Sequence, residues 1–169
     1  MTELALVKGF HPIFRKKAAS VETVDDGVRA QVARMFEILY GARGVGIGAN
    51  MVGLLRRIIV IDLQDGGARR PLALINPDII WLSEETQTHA EASLCWPGVS
   101  ADVTRPAAIR VAYLDAAGAA RELEAAGWLA QVIQHEVDYL DWVIFPDRLP
   151  KVKRDMVMRK IRKIKAPGR

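Results

Sequence analysis

Apolar positions change period several times along the chain, and each change predicts an element. Asp25 and Asp26 precede Val28, Val32, Met35, Phe36 and Leu39, which recur at helical spacing. Either carboxylate can cap that helix, and Gly41 and Gly44 end it. The glycine-rich GVGIGANMVG, 44–53, reads as a loop whose backbone can pass close to a ligand. RRIIVIDL, 56–63, is short and β-branched, which predicts a buried strand. QDGGARR reads as a hairpin-like turn, after which PLALINP and IIW continue the sheet. The run from Gln87 to Cys95 predicts a strand, and AAIRVAYLD, 107–115, alternates as a half-buried strand does. AAGAA turns the chain and RELEAA returns as another strand. From Gly127 the period becomes helical, with Trp128, Val132, His135, Tyr139 and Trp142 on one side. A last helix carries Val157, Ile161 and Ile164 as its apolar stripe. Helix, antiparallel strands, buried helix and terminal helix, in that order, predict an α+β fold rather than a doubly wound parallel sheet.

Composition narrows the class. The chain has 169 residues, of which 50% are hydrophobic, enough for one globular domain over 1–169 with a real core. No apolar run is long enough for a membrane span. The N-terminal apolar patch is short and carries Glu3 and Lys8, unlike a cleavable signal. A single cysteine, Cys95, excludes an internal disulfide and makes a reducing cytoplasm the expected location. The net charge is +4, but it is unevenly placed. Residues 151–165, KVKRDMVMRKIRKIK, hold eight Lys or Arg and one Asp, leaving the remainder net acidic. Such a basic amphipathic C-terminal helix fits either a polyanionic partner or a solvated face.

Few residues carry chemistry on spacing alone. His135 and Tyr139 lie four apart and share a helix face, with Glu136 about 100° round. Taken by itself the pair reads as a core histidine beside a hydrogen-bonded glutamate. Cys95 in EASLCWPG reads as a small buried hydrophobe unless His135 is its neighbour in space. The glycine loop is no nucleotide loop, because its spacing fits neither dinucleotide nor P-loop patterns and no Lys-Ser/Thr follows.

Three stretches taken together say more. GVGIGANMVG, EASLCWP and QHEVDYLDWVIFPDRL, in that order, resemble the three signature motifs of the peptide deformylases. The flanks agree: HPIFRKKAASVE, RRIIVIDL, ALINP and RELEAAGWLAQVIQHE resemble the family's other segments, so the likeness runs from about Lys8 to Lys165. The resemblance implies antiparallel sheets around a central metal-site helix that carries His135. It also implies hydrolytic removal of the formyl group from the N-terminal methionine of nascent proteins, with formylmethionyl peptides as partners. Ser93, His135 and Tyr139 stand at the family's three metal-ligand positions. Glu136 stands at the general acid/base position, and Gly46, Met51 and Leu94 at substrate-binding positions.

The same alignment shows departures in all three motifs. Ser93 replaces a cysteine, Tyr139 a histidine and Met51 a glutamine whose amide helps hold the oxyanion. Gly48, Ala92 and Trp142 replace an alanine and two glycines. A neutral alcohol is a poor ligand for zinc or ferrous iron, and a phenol loses its proton only near pH 10. A lost oxyanion donor costs about 3 kcal/mol of transition-state stabilisation. The expectation is therefore no cofactor or, if any, one divalent iron or zinc at His135. Three functional readings follow: a deformylase-like protein without ordinary metal-dependent activity; an enzyme rebuilt around Cys95, His135 and Glu136; and a ribosome- or nascent-peptide-binding module working through the C-terminal helix. The rebuilt enzyme requires Cys95 to share a strand face with Ser93, about 6.5 Å further on. Neither a membrane nor a specific DNA site is an expected partner.

Overall fold

The computed structural model describes residues 3–165; the two ends of the expected 1–169 domain lie outside the described residues. Helix α1, Asp26–Gly41, is capped by the Asp25 side chain, which accepts from Val28 N. Strand β1, Gly46–Gly48, lies inside the glycine-rich segment expected to be a loop, and a 3-10 turn, Ala49–Val52, follows it. Three residues at a sheet edge are too few to set up a legible alternation. Next come β2, Ile58–Ile61; β3, Leu72–Leu82; β4, Thr86–Ala92; β5, Ser100–Pro106; β6, Ala108–Leu114; and β7, Ala120–Ala126. Helices α2, Gly127–Leu140, and α3, Lys151–Arg162, complete the order.

Five strands form one antiparallel sheet in the order β1-β2-β3-β6-β7, and β4 pairs with β5 in a separate two-stranded sheet. All four residues of β2 are buried, as its β-branched sequence requires. The register between β3 and β6 shifts between Ile75 and Asp78, where Asn76 takes a φ of 51° and Pro77 has no N–H to give.

Helix α2 is central because it is buried on both sides. Ala130, Ile133, Val137 and Leu140 face one cluster with Ile59, Ile61, Leu74, Ile109 and Val111 of the larger sheet. Tyr139, on the other side, joins the second cluster with Phe14, Met35, Trp96 and Phe145. The α+β fold of antiparallel sheets around a central helix is as expected, but β5 was not, the terminal helix expected over 151–165 stops at Arg162 short of Ile164, and three further points differ. Trp142 lies beyond α2 with a φ of 59° and is 51% exposed, so it does not share the buried helix face. Trp128, 38% exposed, is likewise only partly covered. The expected strand 87–95 stops at Ala92, and residues 94–98 form turns and a bend.

Candidate functional site

A cleft of about 320 Å³ lies between β1 with its lead-in (Arg43 to Gly46), the end of β4 (Ala90 to Leu94) and the outer side of α2. Gly46, Met51, Ser93, Leu94, His135 and Glu136 all line it. Sequence positions 46, 51, 93, 94, 135 and 136 are therefore brought together. Tyr139 lies one turn deeper and is fully buried. The glycine in β1 is needed here: a Cβ at Gly46 would stand 2.9 Å from Val132 Cγ1 and 3.4 Å from Glu136 Oε1.

His135 is held by charge. Its Nδ1 lies 2.6 Å from Glu91 Oε1. Glu91 also accepts two hydrogen bonds from Arg105, at 2.7 and 2.9 Å, and one from Gln131 Nε2. Burial alone would raise the Glu91 carboxyl, but the bonds from Arg105 and His135 outweigh it and hold the group down to about 2. An ionised carboxylate only accepts, so His135 donates from Nδ1 and turns Nε2 towards the cleft side. Arg105 continues to Asp138 at 2.7 Å, and Asp138 to Arg148 at 2.7 Å. Glu91, Arg105, Gln131 and Asp138 were not singled out from sequence as a network. Two signals carried it: Gln131, His135 and Asp138 repeat at helical spacing, and Val103 and Arg105 share the buried face of β5.

Glu136 is a different carboxylate. Burial pushes it up to about 7, against the pull of His135 and the Gly48 N–H, and its Oε2 has no hydrogen-bond partner among the described residues. Asn50, fully buried, gives its amide to the Tyr139 carbonyl at 2.7 Å and ties the turn after β1 to the end of α2. Met51 presents no N–H from its side chain; its backbone carbonyl accepts from Val7 N at 2.9 Å.

The three ligand positions do not fit a divalent metal. Tyr139 packs edge-on against His135 at 4.6 Å and Trp96 at 5.8 Å, with Phe14 at 6.1 Å. Burial raises its phenol well above the ordinary value, so phenolate is further from reach than in water. The Ser93 hydroxyl accepts from Cys95 N at 3.2 Å. His135 Nε2 is then the one good donor of the three. Among the described residues no group of three or more His, Cys, Asp or Glu could hold a metal ion.

Cys95 does not take the missing place. The turn at Ser93 breaks the strand phase that would have set the two side chains on one face. Cys95 is fully buried in the core, its Sγ 3.9 Å from the Met51 carbonyl, and it does not line the cleft. Burial pushes its thiol up to about 12, the reverse of an activated nucleophile. The other histidines serve elsewhere: His11 accepts from Ile13 N, and His89 packs on Trp128 at 5.4 Å.

The family model described as polypeptide deformylase matches residues 4–155, and the chain belongs to the peptide deformylase family. A Rickettsia conorii protein called peptide deformylase-like is 48% identical over 89% of this chain and 82% of its own length. The peptide deformylase of Rhizobium meliloti is 40% identical over 90% of this chain and 88% of its own. The crystal structure of a Synechococcus elongatus peptide deformylase in complex with actinonin superposes with a TM-score of 0.87 at 35% identity, covering 95% of this chain and 89% of that one.

Proposed function

We propose that this chain is a deformylase-family protein that binds the N-terminal end of an extended, formylmethionyl-type peptide in its cleft without the family's ordinary metal-dependent deformylation. The observation that carries the reading is Tyr139: the second histidine's position is filled by a phenol locked into an aromatic cluster. Ser93 and Met51 support it, one lacking a thiolate and the other an amide donor. Without a metal-activated water, Glu136 lacks the nucleophile that it would serve. Peptide binding is supported by the cleft's borders. β1 ends the larger sheet and β4 belongs to a two-stranded one, so each has an edge without a strand partner, near the glycine at 46. Gly46, Met51 and Leu94 are the proposed substrate contacts, in a cytoplasmic setting.

The test uses untagged protein purified under low oxygen. Elemental analysis is expected to find substoichiometric iron, zinc and nickel. Formyl-Met-Ala-Ser is expected to bind by calorimetry and to be recovered intact. Stoichiometric metal together with brisk, chelator-sensitive release of formate would refute the reading.

A second partner is proposed for α3. Val157, Met158 and Ile161 bury its apolar stripe, while Lys153, Arg159, Lys160, Arg162 and Lys163 remain exposed. Such a row suits a ribosomal polyanion.

A further inference from the structure

The cleft's inner carboxylates are buried, but its rim holds a charge that is exposed. Glu91 is bound by Arg105, and Glu136 is buried in the cleft wall beside His135. Arg43 is the one exposed charged residue that lines the cleft, and it makes no ion pair among the described residues. Its backbone is unusual. Helix α1 ends with Gly44 N bonded to the Leu39 carbonyl and Arg43 N to the Tyr40 carbonyl, which forces Arg43 into the left-handed region at φ 56°. That position ordinarily takes glycine or asparagine. A long charged side chain in a conformation that disfavours it points to a role outside helix termination. The turn also fixes where the side chain starts. Gly44 is wedged so tightly against Leu94 that a Cβ there would overlap Leu94 Cδ1, and β1 begins two residues later. Across the mouth, Trp128 is 38% exposed and adds an apolar surface.

We propose that Arg43 is a specificity-determining residue that selects, among peptides entering the cleft, those carrying a carboxylate one or two residues beyond the formylmethionyl position. The inference rests on the peptide-binding reading above. Arg43 lines the cleft and is exposed, and its planar guanidinium can pair two carboxylate oxygens of a peptide that lies along β1. The carboxylate has two possible sources, an acidic side chain or the free C-terminus of a short peptide.

Calorimetry on the full chain at low salt separates these. The probes are formyl-Met-Ala-amide, formyl-Met-Ala with a free C-terminus, formyl-Met-Ala-Asp-amide and formyl-Met-Ala-Lys-amide. The expected result is about fivefold tighter binding of a carboxylate-bearing peptide than of the neutral amide, in keeping with a solvent-exposed pair. Arg43→Gly, which suits the backbone, is expected to level the series, and Arg43→Glu to favour the lysine peptide. Preference for the aspartyl peptide alone assigns a side-chain carboxylate; preference for the free C-terminus alone assigns a terminal one. Equal affinity for all four peptides would overturn the inference and leave peptide binding standing. Failure of every peptide to bind would overturn the peptide-binding reading, and this inference with it.

Discussion

The Tyr139 hydroxyl is buried beside Ser93 and the Phe145 backbone but makes no well-aligned hydrogen bond among the described residues, while its ring touches three other aromatic groups or imidazoles. The ring is packed on several sides, and the oxygen is desolvated without a well-aligned partner to offset that cost. Removing the oxygen should relieve a desolvated polar atom and leave the packing intact. Tyr139→Phe is expected to be neutral or stabilising by up to about 1 kcal/mol in urea unfolding, with no change in slope. A loss of more than ~1 kcal/mol would show that the phenol serves a partner. Sequence spacing put Tyr139 on the same helix face as His135, and the resemblance to the deformylase motif put it where that family has a histidine. Neither showed what filled the space, because Trp96 and Phe14 arrive from distant segments. Glu91 is the converse case. Its place before Ser93 was plain, but its clamp on His135 needs Arg105 from a strand whose pattern is nearly silent.

At the scale of elements, what was legible follows the strength of the period. Helices α1 and α2 announced themselves by apolar spacing, and β2 and β6 by β-branched content or alternation. Strand β5, Ser100–Pro106, was missed because its two buried positions are Val103 and Arg105, and a buried arginine reads as surface. The turn at Ser93 was missed for a related reason: Leu94, Cys95 and Trp96 are apolar, and an apolar run after a strand looks like more strand. The close contact of β1 with α2 is the element-level feature that shapes the cleft. Gly46→Ala would push a methyl against Val132 at 2.9 Å and towards the Glu136 carboxylate. It is expected to cost about 1–3 kcal/mol in urea unfolding, since both backbones are fixed by their own hydrogen bonds. It should also weaken formyl-Met-Ala-Ser binding, because the same methyl narrows the cleft floor. An unchanged midpoint would mean that α2 shifts freely, against its burial on both sides.

Over the whole molecule the charge is divided, and the division is built into the fold. The exposed basic row on α3 cannot be removed by cutting the chain at Lys151, because Val157, Met158 and Ile161 belong to the core. Arg154 and Arg15 both pair with Asp147, at 3.1 and 2.6 Å, which joins the helix to the chain's first segments. A truncation would therefore confuse loss of a partner with loss of folding. Charge substitution separates the two. Lys153, Lys160 and Lys163 are exposed and make no ion pair among the described residues, so Lys153→Gln, Lys160→Gln and Lys163→Gln together should change stability by only about 0.5 kcal/mol or less. If α3 meets ribosomal phosphate, each lost contact lowers the slope of log affinity against log salt by roughly 0.7–0.9. Co-sedimentation with ribosomes across a salt series should then fall at low salt and flatten in the triple variant, while thermal unfolding stays in place. Binding of both proteins with one common slope would assign the basic row to solvent and leave the cleft as the site through which this protein acts.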